Sequence, residues 1–254
     1  MSIHPSASAG FSRAAASYER GRPGYPRLAV EWLCQRLDLA PGRTVLDLGA
    51  GTGKLTRELM PSGASVMALE PIAEMAEVLR RVAPAATVLT ATAASTGLPA
   101  KAVDAATAGQ SFHWFSDESS LLEIHRVLRS GAPLGLVWNH RDLADPLWMN
   151  VDAMMEAYRH GEPTYRSGEW MERLAESGLF LEPEGRVFEH RQALTPEQLV
   201  DRVVSVSYIA IRPSDERARL AKQVLSLGLD AAGQTGGLVG LPYRTEVWIT
   251  RAIP

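Results

Sequence analysis

The chain has 254 residues, of which 46% are hydrophobic and 22% charged, and its formal net charge is −3. That length and apolar content suit one large domain, or one domain with a sizeable insertion. Scattered Lys and Arg exclude a basic stripe for nucleic acid or an anionic bilayer and favour a small-molecule partner, while a single cysteine excludes an internal disulfide.

The N-terminal "MSIHPSASAGFSRAAASYER" shows no basic region followed by an apolar one, and no apolar run approaches the roughly 18 residues that span a bilayer. A cytoplasmic protein with no membrane partner is expected, as monomer or homodimer. The alanine-rich start reads as helix. Val30, Leu33, Cys34 and Leu37 follow at helical spacing, which makes Cys34 a core residue rather than a nucleophile.

Residues 43 to 138 then alternate short apolar runs with helical patterns. "RTVLDLG", "SVMALE", "ATVLT", "VDAATAG" and "PLGLVW" read as strands. Between them, "GKLTRELMPSG", "IAEMAEVLRRVA" and "DESSLLEIHRVLRSG" read as helices, the last with Asp117 as N-cap and Gly131 as terminator. Such alternation predicts a doubly wound, mostly parallel sheet. After Asn139 the pattern turns helical ("DPLWMNVDAMMEAYRHG", "SGEWMERLAESG", "TPEQLVDRVVSVSYIAI", "PSDERARLAKQVLSLGLDAAG"), broken by one strand-like run, "GRVFEHRQAL", and closed by the alternating "YRTEVWITRA". The expectation is an α/β, Rossmann-like, seven-stranded sheet with a helical cap. Its parts are a helical lid over 1–42, a core over 43–142, a mainly helical cap with one core strand over 143–235, and a completing strand over 236–254.

"VLDLGAGTGKLT", residues 45–56, is the motif that carries chemistry. A phosphate-binding Walker loop needs glycine at 48 and Ser or Thr at 55, and the chain has Leu48 and Leu55. The dinucleotide pattern needs glycine at 54, where Lys54 stands, so a nicotinamide-dependent oxidoreductase is disfavoured. What remains is Asp47, Gly49, Gly51 and Gly53 between a strand and a helix, with Glu70 ending the next strand where a ribose-diol acceptor belongs in such folds.

These residues resemble the S-adenosylmethionine site of class I methyltransferases. "YERGRPGYP", "GQSFHWF", "EIHRVLRSGAPLGLVWNHRD" and "LPYRTEVWITR" extend the likeness to the small-molecule branch that includes trans-aconitate-type enzymes. The resemblance implies that Gly49, Ala50, Gly51 and Gly53 wrap the methionine part of S-adenosylmethionine, with Asp47 orienting its ammonium. It implies that Glu70 takes the ribose hydroxyls and that Pro71, Ile72 and Met75 lie against adenine. Ser95 and Thr96 stand where the family usually has an acid for the adenine amino group. Gln110 adjoins the cofactor, and Arg22 and Tyr25 reach its carboxylate from the lid.

Methyl transfer from a sulfonium is an in-line displacement, and positioning supplies much of the rate. The sequence has no metal-ligand set. Acceptor groups are expected beyond the fourth and fifth strands: His113 and Trp114 in "GQSFHWF", then Trp138, Asn139, His140 and Arg141 in a polar linker. His113 reads as base, as donor to a substrate carboxylate, or as wall of the cofactor site, and His140 competes for the base role. Arg141 suits an acidic substrate or a salt bridge to Asp142 or Asp145, and His125 reads as structural. In the cap, Trp148, Met154, Met155, Tyr158, Tyr165, Trp170 and Tyr208 offer an aromatic and Met-rich pocket, with Tyr208 the first choice for substrate contact and catalysis. The predicted activity is methylation of a small carboxylate or aromatic metabolite. The alternative is a non-methylating use of the same cofactor fold, as a cyclase-like catalyst or a binding module.

Overall fold

A computed structural model describes residues 18–159, 164–235 and 237–254. Most of the alanine-rich N-terminal stretch lies outside the described residues; residues 18–21 are helical. The chain then runs through α1 (Arg27–Arg36), β1 (Thr44–Leu48), α2 (Lys54–Leu59), β2 (Ser65–Leu69), α3 (Ala73–Val82) and β3 (Thr87–Leu89). The next elements are β4 (Ala105–Gly109), α4 (Glu118–Val127) and β5 (Pro133–Arg141). The second half adds α5 (Pro146–Glu156), α6 (Glu169–Glu176), β6 (Glu184–Leu194), α7 (Pro196–Val204), α8 (Ser207–Ala210), α9 (Ser214–Thr235) and β7 (Val239–Arg251).

The strands form one seven-stranded sheet in the order β3-β2-β1-β4-β5-β7-β6. From β3 to β5 all neighbours are parallel; β7 runs antiparallel between β5 and β6. Apart from Asp47, β1 and β4 carry apolar or small residues because helices cover both faces of a parallel sheet, and their residues are almost all buried. Strand order reverses between β1 and β4, since β1 leads outward to β2 and β3 while β4 leads to β5 on the other side. A crevice opens at the carboxyl ends of the strands on either side of such a switch point. Asp47, Glu70, Gln110 and Asn139 all belong to this end of the sheet.

The N-caps follow the sequence. Asp117 accepts from the Ser120 amide, and Thr195 and Gln198 form a reciprocal capping box on α7. One expectation fails in an informative way: Asn139, His140 and Arg141 are not a linker but the end of β5. They pair with Thr245, Arg244 and Tyr243 of β7, a partner about a hundred residues away that overrides their local polarity.

Two hydrophobic clusters matter for the site. One packs β1, β4 and β5 with Phe112 and, unexpectedly, Trp170 and Leu174 of α6, so this helix lies on the sheet rather than in the cap. The other gathers Trp148, Met155, Leu199, Val203, Tyr208 and Tyr243 beneath the cap helices. Among the described residues no helix is long and apolar enough to cross a membrane.

Candidate active site

The loop from β1 to α2 turns through three left-handed glycines, Gly49 (φ 61°), Gly51 (59°) and Gly53 (85°), a conformation that L side chains rarely adopt. They are not equivalent. A Cβ on Gly53 would lie 2.4 Å from Leu79 Cδ1, so Gly53 lets the loop close onto α3 and does not line the cavity beside it. At Gly51 a Cβ would meet nothing nearer than Met75 Cε at 3.7 Å, and Gly49, Ala50 and Gly51 do line that cavity.

Two carboxylates flank the loop. Asp47, fully buried at the end of β1, accepts from Thr56 Oγ1 at 2.6 Å through one oxygen, while its other oxygen is buried without a partner. Burial pushes this carboxyl up to about 7, with Glu70 adding to the rise and Thr56 opposing it. Glu70, 5% exposed after β2, accepts from the Gly51 amide at 2.8 Å and the Ile72 amide at 2.9 Å. Burial raises it to about 6, with those two amides opposing. An orphaned carboxylate oxygen beside an open glycine suits a ligand that presents a cation near Asp47 and hydroxyls near Glu70.

The residues around 18–25 form a strap over this cavity: Tyr18, Arg22, Pro23 and Tyr25 line it together with Lys54, Leu55, Gln110, Asn139 and Arg202. The strap is tied on both sides. Glu19 accepts from Thr52 Oγ1 and Arg57, both at 2.7 Å, and Lys54 Nζ donates to the Glu19 carbonyl at 2.9 Å. Arg20 forks onto Asp201 of α7 at 2.7 and 3.0 Å. Lys54, an ordinary helix-start residue by sequence, therefore fastens the strap to the loop. Asn139 donates to the Gly24 carbonyl at 2.9 Å, and the Tyr25 hydroxyl sits where a Cβ on Gly109 would be, 2.5 Å away.

Beside this cavity lies a wider cleft, about 150 Å³ against about 30 Å³. Arg22, Gln110, Asn139 and Arg202 line both, so the two communicate. Gln110 holds a left-handed backbone (φ 63°) at the junction, a conformation that costs a non-glycine residue energy and clusters at functional sites. His113, Trp114, Trp138, His140, Arg141, Met155, Tyr165 and Tyr208 line the cleft, joined by Arg159 and Arg166.

The two histidines differ. Trp138 Nε1 donates to His113 Nδ1 at 3.3 Å, so the His113 proton resides on Nε2. Burial, with Arg159 and Arg22 nearby, lowers His113 to about 3 and keeps it neutral. With Nδ1 occupied, the nitrogen left to a ligand is Nε2, which carries the hydrogen. His140 is also lowered, first by burial; its Nε2 lies 3.9 Å from Glu246 and its ring 4.3 Å from that of Tyr165, whose hydroxyl donates to the same Glu246. Arg141 pairs with Asp152 at 2.6 Å, not with Asp142 or Asp145, and Arg166 shares that carboxylate at 3.2 Å.

Several expected residues stand elsewhere. Trp148 is fully buried in the cap core, donating to the Pro242 carbonyl at 3.0 Å, and does not line the cleft. The Thr96 hydroxyl is held by Glu123 at 2.6 Å, and Ser95 is exposed in a turn; neither they nor Pro71 line the two cavities. Met75 packs beneath Gly51, 2% exposed. His125 is structural, bonded to the Ile253 carbonyl at 2.8 Å.

Arg202 was missed. Its signal is an arginine on an apolar helical stripe, Leu199, Arg202, Val203 and Val206, where a buried charge needs a purpose. Arg159, Asp152 and Glu246 carry no comparable local signal, because the contacts that bring them to the cleft are long-range.

The family model, the curated relatives and a solved structure at 26% identity agree. The methyltransferase domain family matches residues 46–135, which run from β1 to β5. An uncharacterized methyltransferase of Mycobacterium tuberculosis is 38% identical over 238 residues, covering 92% of both chains. An uncharacterized methyltransferase-like protein of Schizosaccharomyces pombe is 33% identical over 211 residues, covering 83% of this chain and 82% of the other. Among solved structures, a provisionally named type II methyltransferase from Anaeromyxobacter dehalogenans superposes with a TM-score of 0.64 at 26% identity, covering 92% and 99% of the two chains.

Proposed function

The chain belongs to the methyltransferase family, and from that premise we propose that it transfers the methyl group of S-adenosylmethionine to a small organic acceptor bearing a carboxylate or an aromatic ring. The observation that carries this reading is the pair of buried carboxylates, Asp47 and Glu70, on adjacent strand ends around the open Gly51, beside a cleft lined by aromatic rings and arginines. Asp47 would hold the ammonium of the cofactor through its unpartnered oxygen, and Glu70 would turn from its backbone amides toward the ribose hydroxyls. When bound, the cofactor supplies an electrophilic methyl on a sulfonium.

The protein's part is placement. Trp114, Trp138, Tyr165 and Tyr208 wall the cleft and keep water from the reaction line. His113 donates from Nε2 to an oxygen of the acceptor. His140, neutral and backed by Glu246, takes a proton from acceptors that carry one; a carboxylate acceptor needs no such step. Calorimetric titration with S-adenosylhomocysteine tests the reading. Wild type binds, and Glu70→Ala weakens binding about tenfold or more, as losing charge-assisted hydrogen bonds does. No binding by the wild type, or equal affinity in the variant, would remove the assignment.

A further inference from the structure

The cleft is crowded with positive charge, and that charge is unevenly matched. Arg141 and Arg166 share Asp152, and Arg159 is held by Glu156 at 2.9 Å. Arg22 and Arg202 have no carboxylate partner among the described residues. Arg202 is only 5% exposed; its Nε donates to the Tyr243 hydroxyl at 3.1 Å, and its Nη1 is buried with nothing to bond. Arg22 lies with its Nε buried and unpartnered, its guanidinium 4.8 Å from the Tyr18 ring centre. The two are neighbours by construction, because Gly21 packs so tightly on α7 that a Cβ there would lie 2.3 Å from the Arg202 backbone nitrogen.

Burying two like charges with unused donors is costly unless an anion joins them. Burial, with the charges of Arg202 and Arg141 nearby, lowers Arg22 to about 10, which leaves it cationic at neutral pH. Resting on the methyltransferase reading above, we propose that Arg22 of the strap and Arg202 of α7 form a clamp for a carboxylate of the acceptor. The clamped group is a handle and not the site of methylation. Hydrogen bonds from two guanidinium groups draw charge from the carboxylate and make it a poorer nucleophile, so the methyl goes to a second functional group on the same molecule. The acceptor class is therefore bifunctional: a dicarboxylate, or a carboxylic acid that carries a phenol, hydroxyl or amine.

The test uses the full chain saturated with S-adenosylhomocysteine and titrates succinate and 4-hydroxybenzoate against their neutral counterparts, succinamide and 4-hydroxybenzamide. The acids bind and the amides bind about tenfold or more weakly. Arg202→Met and Arg22→Met each abolish the preference for acids, Arg202→Lys restores part of it, and in Arg202→Met S-adenosylhomocysteine loses no more affinity than 5′-methylthioadenosine does. Methionine suits the apolar stripe of α7, so this variant keeps its fold. Equal binding of acids and amides overturns the clamp, as does an undiminished acid preference in both Met variants. If Arg202→Met instead weakens S-adenosylhomocysteine but not 5′-methylthioadenosine, which lacks the carboxylate, the clamp holds the cofactor's own carboxylate and the proposal falls. Failure of the wild type to bind S-adenosylhomocysteine is a separate result and removes the underlying reading instead.

Discussion

Affinity for S-adenosylhomocysteine should rise by up to about tenfold per pH unit as pH approaches 7 from below, and level off above it. Asp47 sits at about 7 because it is buried, so below that pH it is largely neutral and offers a cation little. The ammonium of the ligand competes with the proton, and binding releases it. Glu70, at about 6, adds a second released proton at the acidic end, where the slope steepens. The sign for stability is opposite. Folding raises the Asp47 carboxyl from 3.8 to about 7, so the native state binds the proton more tightly than the unfolded chain. From this group the ligand-free protein loses stability as pH rises from about 4 to about 7. Calorimetry between pH 5 and 8 reads the binding slope, and Asp47→Asn should flatten it; an unchanged slope in that variant would separate Asp47 from the ligand.

Gly21→Ala should speed the dissociation of S-adenosylhomocysteine about tenfold or more while shifting the melting temperature of the ligand-free protein by only a few degrees. The added methyl would lie 2.3 Å from Arg202 N and 2.6 Å from its Cα, and a helix backbone does not yield as a flexible side chain does. The strap must lift, straining the Arg20 fork onto Asp201 and the bond from Gln192 to the Gly21 carbonyl. Neither tie belongs to the sheet core, so global stability is largely spared. Stopped-flow displacement of the ligand gives the rate, and limited trypsin digestion after Arg20 reports strap exposure. An unchanged dissociation rate would mean that the strap does not retain the ligand.

The parallel part of the sheet was legible because its strands are short apolar runs punctuated by glycines, and because helical and strand periods alternate cleanly; β7 was legible from its two-residue alternation. Asp47, the glycine loop and Glu70 are readable for the same local reason: chemistry and turn geometry are written in consecutive residues. What escaped depends on distant partners. Asn139 to Arg141 look like a polar linker until β7 pairs with them. Lys54 looks idle until residue 19, thirty-five positions earlier, returns to it. Trp148 resembles a pocket residue by type, yet the Pro242 carbonyl and the Tyr243 ring claim it for the core. Gly53 belongs to the loop motif by pattern, yet its lack of a Cβ serves Leu79 rather than a ligand.

One turn of α7 carries two duties in neighbouring residues. Asp201 anchors the strap through Arg20, Arg202 faces the cleft, and Gly21 rests on the backbone between them. Selection for a new acceptor that reshapes this turn also alters the seat of the strap, and with it the hold on whatever lies beneath. With Arg202 as the acceptor clamp, a substitution in this turn is expected to change acceptor preference and ligand retention together. Change is freer at Tyr165, Arg166 and Tyr208 of the same cleft, which have no part in the described ties of the strap.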